Sequence, residues 1–180
     1  MADLRLVPTD RMHAPAIQRL AAHPDVAATT LIPHPYPPNG AIQFVEEVTL
    51  PRRAAGTQYS FVMVEDDEVV GHISLKHVDR ERGEAEVGYW VGRPYWGRGY
   101  ASEALRLVLD VAFGEVGLER VYAHVLTHNP ASGRVLEKLG FVPVELPPEA
   151  LPSACIAKGE TVGYELRRSS RDAKIGDSGA

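Results

Sequence analysis

The most constraining feature of this sequence is a change of hydrophobic period near residue 92. Upstream of it, Tyr59-Ser-Phe-Val-Met-Val64, Val69 to Val78 and Glu84 to Val91 read as strands, separated by Asp66-Asp67 and Asp79-Arg-Glu-Arg-Gly83. Alternation of apolar and polar residues marks half-buried strands, and short polar turns join such strands antiparallel. In the middle run Val69, Gly71, Ile73 and Leu75 are expected on one face, with Val70, His72, Ser74 and Lys76 on the other. Downstream, Ala101, Ala104, Leu105, Val108, Leu109, Ala112 and Phe113 fall on one stripe at the helical period. A three-stranded meander that runs straight into an amphipathic helix excludes an all-helical bundle and an all-β sandwich.

The flanking segments extend this pattern. Leu4 and Leu6 suggest a short first strand, and Ile17, Leu20 and Ala21 a helix. The helix start is ambiguous, because Asp10 is a good cap but would leave Pro15 past the first turn. Pro24, Pro33, Pro35, Pro37 and Pro38 imply a loop over 24–38, followed by a short helix from about Ala41 to Leu50. Val121 to Leu126 reads as a strand, the stretch from Pro130 as a helix capped by Gly140, and Phe141 to Val144 and Thr161 to Arg167 as closing strands. A proline-bearing connector with Pro147, Pro148 and Pro152 separates those two strands. The expectation is one α/β domain over residues 1–168, with a mixed, mostly antiparallel sheet of about seven strands and helices on both faces. Residues 169–180, rich in Ser, Gly and charge, are expected to form a flexible tail.

Charge and cysteine content narrow the partners. Nineteen basic and twenty-four acidic side chains leave a net charge of −5. Such a balance argues against binding nucleic acid or an anionic membrane through phosphate neutralisation. Cys155 is the lone cysteine, no apolar run approaches the ~20 residues that span a bilayer, and the opening is too polar for a secretory signal. A cytoplasmic protein is expected, monomeric or homodimeric.

The segment that bears chemistry is the junction from strand to helix, Trp90-Val-Gly-Arg-Pro-Tyr-Trp-Gly-Arg-Gly-Tyr-Ala-Ser102. Gly97 and Gly99 permit a tight turn and close approach of a ligand to the backbone. The first amides of a helix have no internal partners and lie at the positive end of its dipole. The junction is therefore either a plain turn or a pyrophosphate cradle with Arg98 as an added cation. There is no GxxxxGK[ST], so it is not a P-loop, and an antiparallel strand with no third glycine disfavours a dinucleotide fingerprint.

Several motifs in order identify a resemblance. Ala85-Glu-Val-Gly-Tyr-Trp90, Tyr95-Trp-Gly-Arg-Gly-Tyr-Ala-Ser-Glu-Ala104, Asn129-Pro-Ala-Ser132 and Lys138-Leu-Gly-Phe141 resemble the GNAT N-acetyltransferases, in the branch that acetylates ribosomal-protein N-terminal amines. The resemblance covers roughly residues 3 to 167 and implies a GNAT-like fold with acetyl-CoA as co-substrate. Trp96, Gly97, Arg98, Gly99, Tyr100 and Ala101 take the position of the cofactor motif, whose amides, with that of Ser102, should hold the pyrophosphate. Trp96 departs from the Gln or Arg usual in the superfamily. Val91 should pair with the pantetheine arm and offer an oxyanion amide, and Asn129 should hydrogen-bond the same arm.

Two residues are expected to handle protons. Glu86, ten residues before Trp96, occupies the place of the superfamily's strand glutamate and is the candidate base, its alternative being a solvated cross-strand partner. The tyrosine that many relatives carry seven residues after the asparagine is Leu136 here. Ser132 is then the candidate proton donor, its alternative being a helix first-turn hydroxyl. His34, Tyr36 and Trp90 could line the acceptor pocket or simply pack. His72, His77, His124 and His128 show no metal-ligand spacing and read as surface or strand histidines, and no metal is expected. Cys155 has no histidine nearby in sequence to make it a nucleophile.

The resemblance implies direct transfer of an acetyl group to a primary amine, foremost a protein N-terminal α-amine. A small-molecule amine such as an amino acid or antibiotic is the alternative, and an acyl-CoA-binding sensor without turnover is another. The net acidity and the Glu84–Glu86 strand face favour a cationic acceptor.

Overall fold

Two aspartates start the meander. Asp66 and Asp67 both adopt positive φ (46° and 62°), a conformation that short polar side chains tolerate and that two-residue hairpins need. They join β2 (Tyr59–Glu65) to β3 (Glu68–Asp79). At the next corner the Asp79 carboxylate accepts from the amides of Glu81 and Arg82, both at 2.9 Å, and turns the chain into β4 (Glu84–Val91). The computed structural model describes residues 3–145 and 160–177. The connector with Pro147, Pro148, Pro152 and Cys155 lies outside the described residues.

The seven strands of the sheet are ordered β1-β2-β3-β4-β5-β7-β6, with β1 at Arg5–Pro8, β5 at Arg120–Leu126, β6 at Val142–Val144 and β7 at Thr161–Arg167. Every neighbouring pair is antiparallel except β4–β5. A parallel pair needs a crossover, which α5 (Tyr100–Asp110) and a π-helical turn, Val111–Glu115, supply.

Alternation along β3 departs from the expected pattern at two places, Val70 and His77, the latter with φ of 51° where the β3–β4 register shifts. Met63 pairs with Gly71 but Val64 with Val69, which leaves Val70 as a bulge. Beyond the bulge the faces exchange. Val70 joins Ile73 and Leu75 in the larger core, while Val69 packs with Val62 and Val64 on the opposite face.

Helices cover both faces. The larger core sets Ala104, Leu105, Val108 and Leu109 of α5, and Leu136 of α6 (Pro130–Lys138), against Ile73, Leu75, Val87 and Val121. The second core sets Ala14 and Ile17 of α1 (Ala14–Ala21), with Ala41 and Val45, against Val62 and Val64. Ala41 lies in α3 (Gly40–Gln43), which runs through a π-helical turn, Phe44–Thr49, into α4 (Leu50–Ala54). The helix is thus longer than its apolar pattern suggested. Asp10 and Pro15 are both used: Asp10 caps a separate 3₁₀ turn, Arg11–His13, so Pro15 falls in the first turn of α1. A short helix, α2 (Pro24–Ala28), interrupts the proline-rich loop.

The expected tail is helical where it is described. β7 passes directly into α7 (Arg168–Asp177), in which Arg171 pairs with Asp110 and lies 5.7 Å from the Phe113 ring centre. Among the described residues no helix is long and apolar enough to cross a membrane.

Candidate active site

The parallel pair holds for only three positions: Glu84 with Arg120, Ala85 with Val121, and Glu86 with Tyr122. Arg120 closes that end, donating to Glu84 at 2.8 Å and to Glu165 of β7 at 2.6 Å. Beyond Glu86 the strands splay, while β5 goes on pairing with β7 as far as Leu126. The Gly92 amide bonds to the Val70 carbonyl at 2.8 Å, and this fixes the phase of the β3–β4 ladder. Hydrogen-bonded pairs alternate along such a ladder, so Trp90, Gly88 and Glu86 turn their backbone groups to β3. Val87, Tyr89 and Val91 turn theirs into the splay.

A cleft of about 530 Å³ opens at the splay and extends under α1, α3 and the 29–37 loop. The sequence-derived candidates distribute around it unevenly. Glu86, Trp90, Tyr36, Asn129 and Ser132 line it; His34 is exposed and does not. Val91 and the Trp96–Ser102 junction lie beyond its walls, where β4 leads out to α5.

At the junction, Gly97 and Gly99 take φ of 77° and 83°, and a Cβ on either would meet no atom within 4 Å. Gly99 caps α5 with no side-chain hydrogen bond, so the amides of Tyr100, Ala101 and Ser102 depend on an outside partner. The open glycines and unspent amides fit a bound pyrophosphate. The side chains contribute differently. Trp96 donates its indole N–H to the Val91 carbonyl at 2.7 Å, and Arg93, 4.9 Å from the Trp96 ring centre, is anchored by Asp25 at 2.8 Å. Arg98 is exposed over Tyr95. The Tyr100 ring is buried in the core and its hydroxyl donates to Glu65, so only its amide can serve the cradle.

Glu86 is buried, not solvated. Lys76, directly across on β3, donates to Oε1 at 3.1 Å, and His124 Nδ1 of β5 lies 3.4 Å from the same oxygen. His77 Nε2 is 3.7 Å from Oε2, which accepts no hydrogen bond among the described residues. Burial alone would push the carboxyl up, but His124 and the Lys76 ammonium outweigh it and hold Glu86 below the usual carboxylate value. His72 is also enclosed, edge-on to Phe44 and stacked on Trp90. His72 and His124 are therefore strand histidines of the interior, not of the surface. Among the described residues no cluster of His, Cys, Asp and Glu is arranged to hold a metal ion.

At the mouth of the splay Asn129 caps α6, accepting from the Ser132 amide, and donates to the Thr29 carbonyl at 3.1 Å. Ser132 Oγ is 2.9 Å from the Tyr89 hydroxyl, and burial pushes that phenol up to about 12. Leu136 is fully buried. Three residues that sequence reasoning missed therefore belong to the site: Lys76, Tyr89 and His124. Lys76 had a readable signal, since pairing the hairpin through the 79–84 turn sets it opposite Glu86. Tyr89 and His124 depend on the splay, which no local pattern encodes.

Residues 3–142 match the acetyltransferase (GNAT) domain family. The chain belongs to the GNAT acetyltransferases. Among relatives, the uncharacterized N-acetyltransferase p20 of Bacillus licheniformis is 37% identical over 100 residues, 56% of this chain and 55% of that protein. This GNAT chain thus spans about half the length of the curated relatives it matches. Solved structures share the fold over nearly the whole chain. RimJ of Mycobacterium smegmatis, in complex with CoA-disulfide, superposes with a TM-score of 0.78 at 24% identity, covering 98% of this chain and 89% of that one. Spermidine N-acetyltransferase of Vibrio cholerae, in complex with CoA and spermine, gives 0.76 at 20% identity, covering 93% and 97%.

Proposed function

We propose that this GNAT chain transfers an acetyl group from acetyl-CoA directly to a primary amine, with both substrates bound at once. One observation carries the reading. A sheet that parts between β4 and β5 turns the backbone of Tyr89 and Val91 toward the gap, and beside it lies a glycine junction with room around both glycines, leading into a helix whose first turn has no side-chain cap. Acetyl-CoA, when bound, would supply the acetyl group as a thioester, with CoA leaving as the thiol. The amides of residues 97–102 hold the pyrophosphate, the Val91 amide serves as the oxyanion donor, and Asn129 borders the pantetheine arm at the splay.

Protons move at named atoms. A free α-amine has a pKa of ~7.7–8.0, so much of it must lose a proton before it can attack. Glu86, ionised and lining the cleft, receives that proton through water. Ser132 Oγ–H, hydrogen-bonded to the Tyr89 hydroxyl, passes a proton to the departing CoA sulfur and regains one from water. The acceptor is a protein N-terminal α-amine, the kind of substrate that ribosomal-protein acetyltransferases such as RimL take. A small-molecule amine is the second reading, favoured by a cleft of only about 530 Å³.

A thermal melt with acetyl-CoA, CoA, ATP and NADH tests the cofactor. Ligand at about 100 Kd adds about 2.7 kcal/mol, several degrees for a domain of this size. Acetyl-CoA and CoA alone should shift the transition, and thiol release on adding an amine then separates an enzyme from a sensor. No shift at millimolar CoA would overturn the cradle and the reading with it.

A further inference from the structure

We propose that Lys76 makes the cleft selective for acceptor amines that carry a carboxylate close to the amine. The inference rests on the transfer reading above and names the substrate class of the same site. Among the described lining residues Glu86 is the one carboxylate, against two cations, Lys76 and Arg52. Glu86 does not face the cleft as a free charge: its side chain is 4% exposed, and Lys76, 26% exposed, stands in front of it at 3.1 Å.

The placement of Lys76 depends on a glycine. A Cβ at Gly88 would come 3.1 Å from Lys76 Cε and 3.2 Å from Nζ, so the lysine lies across Gly88 on the same face as Glu86 and Trp90. Any larger residue at position 88 would displace it. An ammonium has three donors, and Glu86 takes one. The other two are available to a carboxylate that enters along the apolar wall of Tyr36, Phe44 and Trp90.

A polyamine meets the opposite situation. Its second ammonium would lose hydration against that wall and face Lys76 and Arg52, with the nearby carboxylate already paired. The acidic strand face therefore offers cations no unpaired carboxylate, because Glu86 pairs with Lys76 and Glu84 pairs with Arg120, which it shares with Glu165. The net charge of −5 belongs to the rest of the surface, and the cationic acceptor it suggested is replaced by an anionic one.

The test compares matched amines on the CoA-saturated protein, by calorimetric binding and by thiol release: aspartate and glutamate against their α- and side-chain amides, peptides with an acidic first residue against the amide pair, and spermidine. The expected result is at least a tenfold preference for the carboxylate member, weakened by salt, with spermidine weakest. The free acids and the peptides tell a small-molecule acceptor from a protein N-terminus. Lys76→Arg should keep the preference and Lys76→Gln lose it. Should Lys76→Gln fail to fold, Lys76→Met with Glu86→Gln removes both charges, and the ratio between pair members is still readable. Equal binding of acid and amide, or a preference for spermidine, by the wild-type protein would overturn the proposal. Selective binding without thiol release would support it while removing the transfer reading.

Discussion

His72, enclosed between Phe44 and Trp90, carries a consequence for stability. Burial, with the nearby His13 adding to it, pushes its pKa down to about 4, so it is neutral in the folded protein at neutral pH. The unfolded chain binds that proton near pH 6.5, so protonation favours unfolding, and stability falls as pH drops from about 6.5 to about 4. The loss is on the order of 3 kcal/mol. Denaturant midpoints should show that slope, and His72→Phe, which keeps the aromatic packing, should flatten it. Glu86 acts in a lower window, because its contribution is present above the unfolded carboxylate value and fades as pH falls through its depressed folded value. At the cradle, Gly99→Val should weaken CoA binding by more than about tenfold. Gly117 is the control, with φ of 78° and equally open space away from the junction. Gly117→Val carries the same backbone strain and should leave CoA affinity unchanged.

Among the elements, the strands, α5 and the α6 cap were legible because each is written in local period and punctuation. Pro130, for instance, announces the start of α6, and Gly140, with φ of 94°, its end. What stayed hidden depends on partners far away in sequence. The bulge at Val70 arises from β2–β3 register, and the burial of His124 from β5 lying against β4 and β7. The glycine junction and Glu86 could be found by motif and spacing, but the partners of Glu86 could not. Helix α7 was missed for a related reason: its contacts are Arg168 with Glu119 and Arg171 with Asp110 and Phe113, not an apolar stripe. One exposed ion pair, one half-buried ion pair and one cation–π contact are worth roughly 1–2 kcal/mol together. Ending the chain at Arg167 should therefore lower the unfolding free energy by about that amount and leave the sheet intact, as far-UV circular dichroism would report.

Over the whole molecule, β1–β4 and β5–β7–β6 meet along three residue pairs of one parallel ladder, with α5 bridging them on one face. A ligand lodged in the splay touches both halves, so CoA should slow amide hydrogen exchange in β4 beyond Glu86, in the first turn of α5 and in α6, and change β2 little. Uniform protection, or none, would show that binding does not join the halves. The same division bears on how such a chain can change over time. On the proposed carrier side the contacts would be main-chain atoms, with two glycines as the chief restriction on residue type. On the proposed acceptor side they would be side chains such as Lys76, Trp90 and Tyr36. Backbone recognition tolerates turnover of the side chains around it, so on that reading the amine half of the chemistry can be rewritten while the thioester half stays as it is.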